Sequence, residues 1–345
     1  MPAELDAWLE LTKEDALDPG LPICDPHHHL WDKPGDRYMI DEVTRDFATG
    51  HNIVQSLFVE VDSMYRASGP VEMKPVGEVE WVRGLGALSD SGNYGPTKVA
   101  AGIVGYADLN LGAAVGPVLE AMELAGSGRF RSVRHTCSWD AHEPLRSHRS
   151  GWPGMIAEAN FREGIGVLFR MGHAFDALVY HPQLFELADL VDAFPNSVFI
   201  LNHIGRPLGV GPYAGHRDEI FEVWKKDMTA LAERPNVVVK VGGLGNRVSG
   251  FGWDTRPAPP DSTELTDAMS PYYLHTIETF GPERCMFESN FPVDKNSYSY
   301  TAVWNSFKRM TADYSASEKR LLFHDTAAKA YRLPLLYELS DRNGG

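Results

Sequence analysis

Ile23-Cys24-Asp25-Pro26-His27-His28-His29-Leu30-Trp31 decides how this chain is read. A short apolar run, Leu21–Asp25, gives way to two histidines spaced two apart. Residues two apart in extended backbone point to the same side, so His27 and His29 converge while His28 points away. Runs of the same kind recur at Ile53–Val61, Ala100–Tyr106, Phe130–His135 and Gly164–Arg170, then at Ser197–His203, Asn236–Val241 and Arg284–Ser289. Each is set off by polar, Gly-containing or helix-like sequence. Two intervening segments carry apolar residues at helical spacing: Leu184, Leu187, Ala188 and Val191 in 182–193, and Phe221, Trp224, Met228 and Leu231 in 220–232. Strands alternating with helices pair in parallel through right-handed crossovers. Eight such units close on themselves, so the expected fold is α/β, a (β/α)8 TIM barrel occupying 1–345 as one domain. No GxGxxG follows the first run, which argues against an open dinucleotide-binding sheet.

Three connections exceed the usual length: 31–52, 62–99 and 242–275, the last rich in Gly and Pro. All follow expected strands and so belong on the C-terminal face of the barrel, where enzymes of this architecture place their chemistry. Residues 1–20 read as an extension packed on the barrel. Lys and Arg number 32 against 47 Asp and Glu, a net charge of −15, with no basic run. That balance repels phosphate backbones and anionic surfaces, so neither nucleic acid nor membrane is an expected partner. No stretch reaches the roughly 18 to 20 apolar residues needed to cross a bilayer, and Met1–Lys13 lacks the pattern of a signal peptide. Cys24, Cys137 and Cys285 form no CxxC pair. Together these features give the expectation of a cytoplasmic protein whose subunit number, homo-oligomer included, is left open.

Two imidazoles converging from one strand end suit a single divalent ion, and histidine is a common zinc ligand. A second apolar run, Val198–Leu201, ends in Asn202-His203-Ile204-Gly205-Arg206-Pro207. His203 there would project over the barrel mouth, to bind metal, orient water or polarise a carbonyl. A third segment, Cys285-Met286-Phe287-Glu288-Ser289-Asn290-Phe291-Pro292-Val293-Asp294, reads as the last strand and its exit turn. Glu60, near the end of the second run, either orients a histidine or pairs with an arginine. The long connections carry aromatics, Trp31 among them, which favours a small cyclic or aromatic-derived substrate.

Taken together, the HxH of the first run, the His-x-Gly-x-Pro of the sixth and the Ser-x-Phe-Pro of the eighth resemble the amidohydrolase superfamily over about residues 21–333. The nearest likeness is to its amidohydrolase 2 branch, which includes 2-pyrone-4,6-dicarboxylate lactonase and sulfomuconolactone hydrolase. The resemblance implies a distorted barrel, usually one divalent metal, often zinc, and hydrolysis of an ester, lactone or amide, with some decarboxylases and hydratases. It implies a metal-binding role for His173, beside His27 and His29. It matches Arg134 to an arginine that binds substrate carboxylate, and Arg247 less securely. Lys240 matches an interior residue.

One position departs from the family pattern. Most relatives carry an aspartate where this chain has Asn290, and an amide cannot take a proton from water. Three substitutes are open: Asp294 swings into the role, His203 serves as base, or the site works without metal, its histidines polarising the carbonyl directly. The reading is a metal-dependent hydrolase of a small cyclic ester or lactone. Its rivals are a lyase on the same scaffold and a barrel that only binds a ligand.

Overall fold

In the computed structural model, which describes residues 3–337, eight parallel strands pair in chain order. Numbered as barrel strands, they are β1 (Pro22–His28), β2 (Asn52–Val59), β3 (Lys98–Gly105), β4 (Phe130–Thr136), β5 (Ala174–Leu178), β6 (Phe199–Leu201), β7 (Val237–Val241) and β8 (Cys285–Phe287). The ring closes through a parallel bridge between His28 and Phe291, with His29 N donating to Phe291 O at 2.7 Å and Asn290 N to His27 O at 3.0 Å. Asp25 clasps the same seam, accepting from Ser289 Oγ at 2.6 Å, Ser289 N at 3.1 Å and Tyr300 OH at 2.9 Å. Burial pushes its carboxyl up to about 6 against the pull of those donors. The molecule is the expected (β/α)8 barrel.

Seven of the eight strands fall where the sequence puts them, give or take a few residues; the fifth does not. Residues 164–170 lie in the helix Ala159–Arg170, and β5 begins at Ala174. Phe161, Ile165 and Leu168 repeat at helical spacing and are buried, and Gly164 lets the helix pack against the 3-10 segment Leu109–Val115. A Cβ at Gly164 would stand 2.1 Å from Leu109 O. The true strand was obscured by Asp176, a buried carboxylate in the middle of an apolar pentapeptide.

The long connections are partly ordered. Residues 31–38 form a hairpin that leads into the helix Ile40–Phe47, and the second connection holds the helix Val76–Asp90. The third is cut short by the helix Ser262–Phe280, which Asp261 caps by accepting from Glu264 N at 2.8 Å. The N-terminal segment lies on the barrel: Thr12 Oγ1 donates to Pro259 O at 2.9 Å, and Lys308 Nζ donates to Leu17 O and Asp18 O, each at 2.8 Å. No helix among the described residues is long and apolar enough to cross a membrane.

Two predictions follow from this packing. Gly164→Ala forces the helix off Leu109 and is expected to cost about 1–3 kcal/mol in urea unfolding; an unchanged midpoint contradicts the close approach. His51, His135 and His181 are buried, and burial holds them down to about 3, about 4 and about 4 against 6.5. In each, Nδ1 faces a donor: Lys308 Nζ at 2.9 Å, Leu109 N at 3.3 Å and Leu208 N at 3.3 Å. At these three histidines the unfolded chain binds more protons than the folded one below pH 6.5. Their contribution to stability falls from that pH towards 4, by at most about 1.4 kcal/mol per pH unit for each histidine, against the opposite drift of the buried carboxyls Asp25 and Asp294. Urea midpoints of wild type and His181→Gln compared stepwise in pH check this: the gap between them should change from pH 6.5 to 4, and a constant gap contradicts it.

Candidate active site

At the C-terminal mouth, β1 presents His27 and His29 on one side, and His28 on the other, where its Nε2 meets Ser56 Oγ at 2.9 Å. His29 Nδ1 donates to Val59 O at 2.8 Å; a carbonyl only accepts, so the lone pair of His29 is on Nε2. His27 Nε2 lies 3.3 Å from that atom and 3.2 Å from Arg134 Nη1. A guanidinium only donates, so His27 Nε2 also carries a lone pair and its proton is on Nδ1. Nδ1 in turn stands 2.6 Å from Glu288 Oε2.

Glu288, one residue past β8, has two oxygens and serves two histidines. Its Oε1 lies 2.6 Å from His203 Nδ1 and accepts from His203 N at 3.2 Å. The Oε1–Nδ1 hydrogen bond fixes the tautomer of His203, while the tautomer of His27 follows from Arg134, since Glu288 Oε2 lies close to His27 Nδ1 without hydrogen-bonding it; both Nε2 atoms are left unprotonated, an arrangement typical of metal-ligating imidazoles. Burial pushes Glu288 up to about 8, while Lys240 pulls it back. Lys240 is itself buried beneath the site, 2.9 Å from Asp176 and 3.5 Å from His27 Nδ1. Desolvation first, then the neighbouring cations, hold His27, His29 and His203 well below the usual imidazole range.

The backbone is bent to bring these groups together. His203 (φ 55), Ile204 (φ 49) and Arg206 (φ 45) all adopt left-handed conformations, costly for residues with a side chain. Trp224 Nε1 anchors the turn by donating to Ile204 O at 2.8 Å. Gly242 and Gly243 follow β7 because nothing larger fits: a Cβ would stand 2.4 Å from Glu288 Cγ in one case and 2.3 Å from His203 Nδ1 in the other.

His27, His203 and Glu288 offer ligand atoms within 4.8 Å of one another, a group able to hold a metal ion. The Nε2 pair of His27 and His29 also fits, since two nitrogens bound at about 2.0–2.1 Å to one tetrahedral ion stand roughly 3.3–3.4 Å apart. Arg134 Nη1 would have to give way.

Other expected site residues are placed differently. His173 precedes β5 instead of following it, so it sits at the opposite end of the barrel, packed on Phe130 at 4.7 Å between ring centroids. It does not join His27 and His29; the misread fifth strand is the reason. Asp294 does not take the place of the missing aspartate. It stands behind Asn290, accepting from Asn290 Nδ2 at 2.8 Å, Tyr298 OH at 2.8 Å and Gly245 N at 3.1 Å. Burial pushes it up to about 7. Arg247 is exposed and paired with Asp254 at 3.0 Å. Arg134 is held by Glu60, through Nε to Oε1 at 2.7 Å and Nη2 to the backbone oxygen at 2.6 Å. Glu60 thus pairs with an arginine, as one of its two expected roles required, and with a second, Arg149, which the sequence did not single out. Trp31 is buried against Tyr38, its indole Nε1 without a hydrogen-bond partner. The residue most clearly missed is Glu288; a carboxylate ending the apolar run Cys285-Met286-Phe287 was the signal for it.

Residues 24–333 match the model of the amidohydrolase family, and the chain belongs to that family. It is 34% identical over 334 residues to the uncharacterized protein y4mH of Sinorhizobium fredii, covering 90% of this chain and 98% of that one. It is 27% identical over 180 residues to L-fucono-1,5-lactonase of Burkholderia multivorans, 52% of this chain and 58% of that one. An amidohydrolase of Burkholderia multivorans, solved with bound Zn, superposes with a TM-score of 0.69 at 22% identity over 90% of this chain and 99% of that one.

Glu288→Gln keeps the shape but removes the charge and one of the two acceptors beside His203 Nδ1 and His27 Nδ1, which weakens the hold on the His203 tautomer. Activity is expected to fall about 10–100-fold with the fold retained. Turnover and circular dichroism on the same preparation check this; full activity contradicts the tautomer assignment.

Proposed function

We propose that this chain hydrolyses a small lactone, with His203 as general base and then general acid, and with a cation point at His27 and His29 facing the carbonyl. The observation that carries the reading is the pair of Nε2 lone pairs held 3.3 Å apart beside a histidine–carboxylate dyad. The name of the Burkholderia relative, a lactonase, supports the bond class.

His203 Nε2 is unprotonated and so accepts a proton from water as its oxygen adds to the lactone carbonyl. Glu288 lies against Nδ1 and stabilises the imidazolium that results. As the ring C–O bond breaks, the imidazolium returns its proton to the departing ring oxygen, giving a hydroxy acid. Asn290, donating to Asp294, takes no part in proton transfer and fixes the exit turn of β8. A divalent ion held by His27 and His29, with zinc the expected metal, would polarise the carbonyl and lower the pKa of water. A specific contact favours a second reading: Arg134 Nη1 already sits at His27 Nε2, so a guanidinium is in place to supply positive charge without metal.

Elemental analysis separates the two, read beside hydrolysis of a lactone panel in a pH-stat. The main reading expects about one divalent metal per chain, lost in His27→Ala and His29→Ala together with activity. A metal-free, fully active wild type moves the role to Arg134. Release of CO2 in place of acid from a ring-opened ester overturns hydrolysis altogether.

A further inference from the structure

The groups assigned to the chemistry lie under cover: His27, His29 and His203 are 0%, 3% and 5% exposed. A lactone has to meet His203 Nε2 and the gap between His27 and His29 together, so the segment above them must move to admit it. The connection after β4, residues 137–158, is placed to be that segment. It holds two short 3-10 turns, Glu143–Leu145 and Met155–Ala157, and it is tied down on opposite sides of the barrel. In a closed ring of eight strands, β2 and β6 stand four places apart. On the β6 side the ties are broad. Leu145 packs with Tyr180 and Leu208 in a buried cluster, Tyr180 OH donates to Leu145 O at 2.7 Å, and Tyr213 OH donates to Asp140 Oδ2 at 2.6 Å. His142 lies so close to Gly211 that a Cβ there would stand 2.6 Å from its ring. On the β2 side the ties are polar. Arg149 pairs with Glu60, its guanidinium 4.4 Å from the centroid of Tyr106, and the exposed His148 Nε2 meets Asp62 Oδ2 at 2.9 Å.

We propose that residues 140–149 form a strap across the mouth, hinged on the β6 side and released at Arg149 on the β2 side to let substrate reach His203. Three features favour release at that end. The contact between His148 and Asp62 is exposed, and contacts of that kind hold weakly. Glu60 keeps Arg134 when Arg149 leaves, so opening strands no buried carboxylate. Parting at the β6 side would instead bring the buried Leu145 and Leu208 into water. The latch also reaches the reacting groups. Arg149 takes the Glu60 oxygen that Arg134 leaves unused, so the contact that shuts the strap steadies the carboxylate that holds Arg134 at His27. The inference takes from the lactonase reading only that His203 is the group a substrate must meet.

The test locks the strap. Asp62→Cys is combined with His148→Cys, and the two thiols are joined by a short bis-methanethiosulfonate that reductant removes. Cys24, Cys137 and Cys285 are buried, and the single-cysteine variants serve as controls. Access is read without substrate, as the rate at which diethyl pyrocarbonate labels His203, followed by peptide mass spectrometry. Bridging is expected to slow labelling about 10-fold or more, and reductant to restore it. Arg149→Met should speed labelling about 10-fold and raise amide exchange over 140–149 while leaving 208–213 unchanged, with circular dichroism showing that it folds. Turnover of the lactone panel should fall with the bridge and return with reductant. Gated labelling with no lactone hydrolysed sinks the lactonase reading and leaves the strap standing. Equal labelling of bridged and reduced protein, or a His203 that stays unlabelled in wild type and Arg149→Met alike, overturns the proposal.

Discussion

Two imidazole lone pairs aimed at one point repel each other unless positive charge lies between them. That constraint organises the mouth of this barrel. His29 is locked by the carbonyl of Val59, and the guanidinium of Arg134 faces His27 Nε2, so neither ring turns its proton into the 3.3 Å gap. Arg134 approaches the gap from β4 and is held there by Glu60. A cation at this point, metal or guanidinium, is what the surrounding structure has been built to receive, and the chemistry proposed for the site needs one at the same place.

The cost of this arrangement is distributed through the fold. Glu288 must be buried to reach both Nδ1 atoms, and Lys240 with Asp176 beneath it balances the charge inside the barrel. Asp176 is tied down by Ser132 at 2.6 Å, Asn202 at 2.9 Å and Tyr331 at 2.7 Å, so strands β4 and β6 and the C-terminal helical segment support the floor of the site. His203 reaches its place only through consecutive left-handed residues, and Glu288 only because β7 ends in two glycines. A barrel closed at Asp25 and Ser289 keeps β1 and β8, which carry the first histidines and the carboxylate, in fixed register.

The alternating strand–helix pattern made the barrel readable, and strand-end histidines at 27, 29 and 203 made the site readable, because both are local signals of period and position. Two of the errors share one origin. Gly164–Arg170 is apolar enough to pass for a strand, while the real β5 hides a buried aspartate whose partners come from other strands and from the far end of the chain. With β5 displaced, His173 was carried to the wrong end of the barrel. Asp294 was judged by distance along the chain and Arg247 by the family likeness, but hydrogen bonds from Tyr298 and Gly245 fix the first behind Asn290, and the second is exposed and paired with Asp254. Glu288 was in plain view as a carboxylate ending an apolar run, but its meaning lies in what faces it in space.

The central claim is a statement about protons on three rings, and nitrogen-15 NMR of the imidazoles reads it directly. Above about pH 8, where Glu288 is ionised, His27, His29 and His203 are each expected to show a protonated Nδ1 and an unprotonated Nε2. A protonated Nε2 on His27, donating across the gap to His29, would remove the need for a cation there and contradict the account.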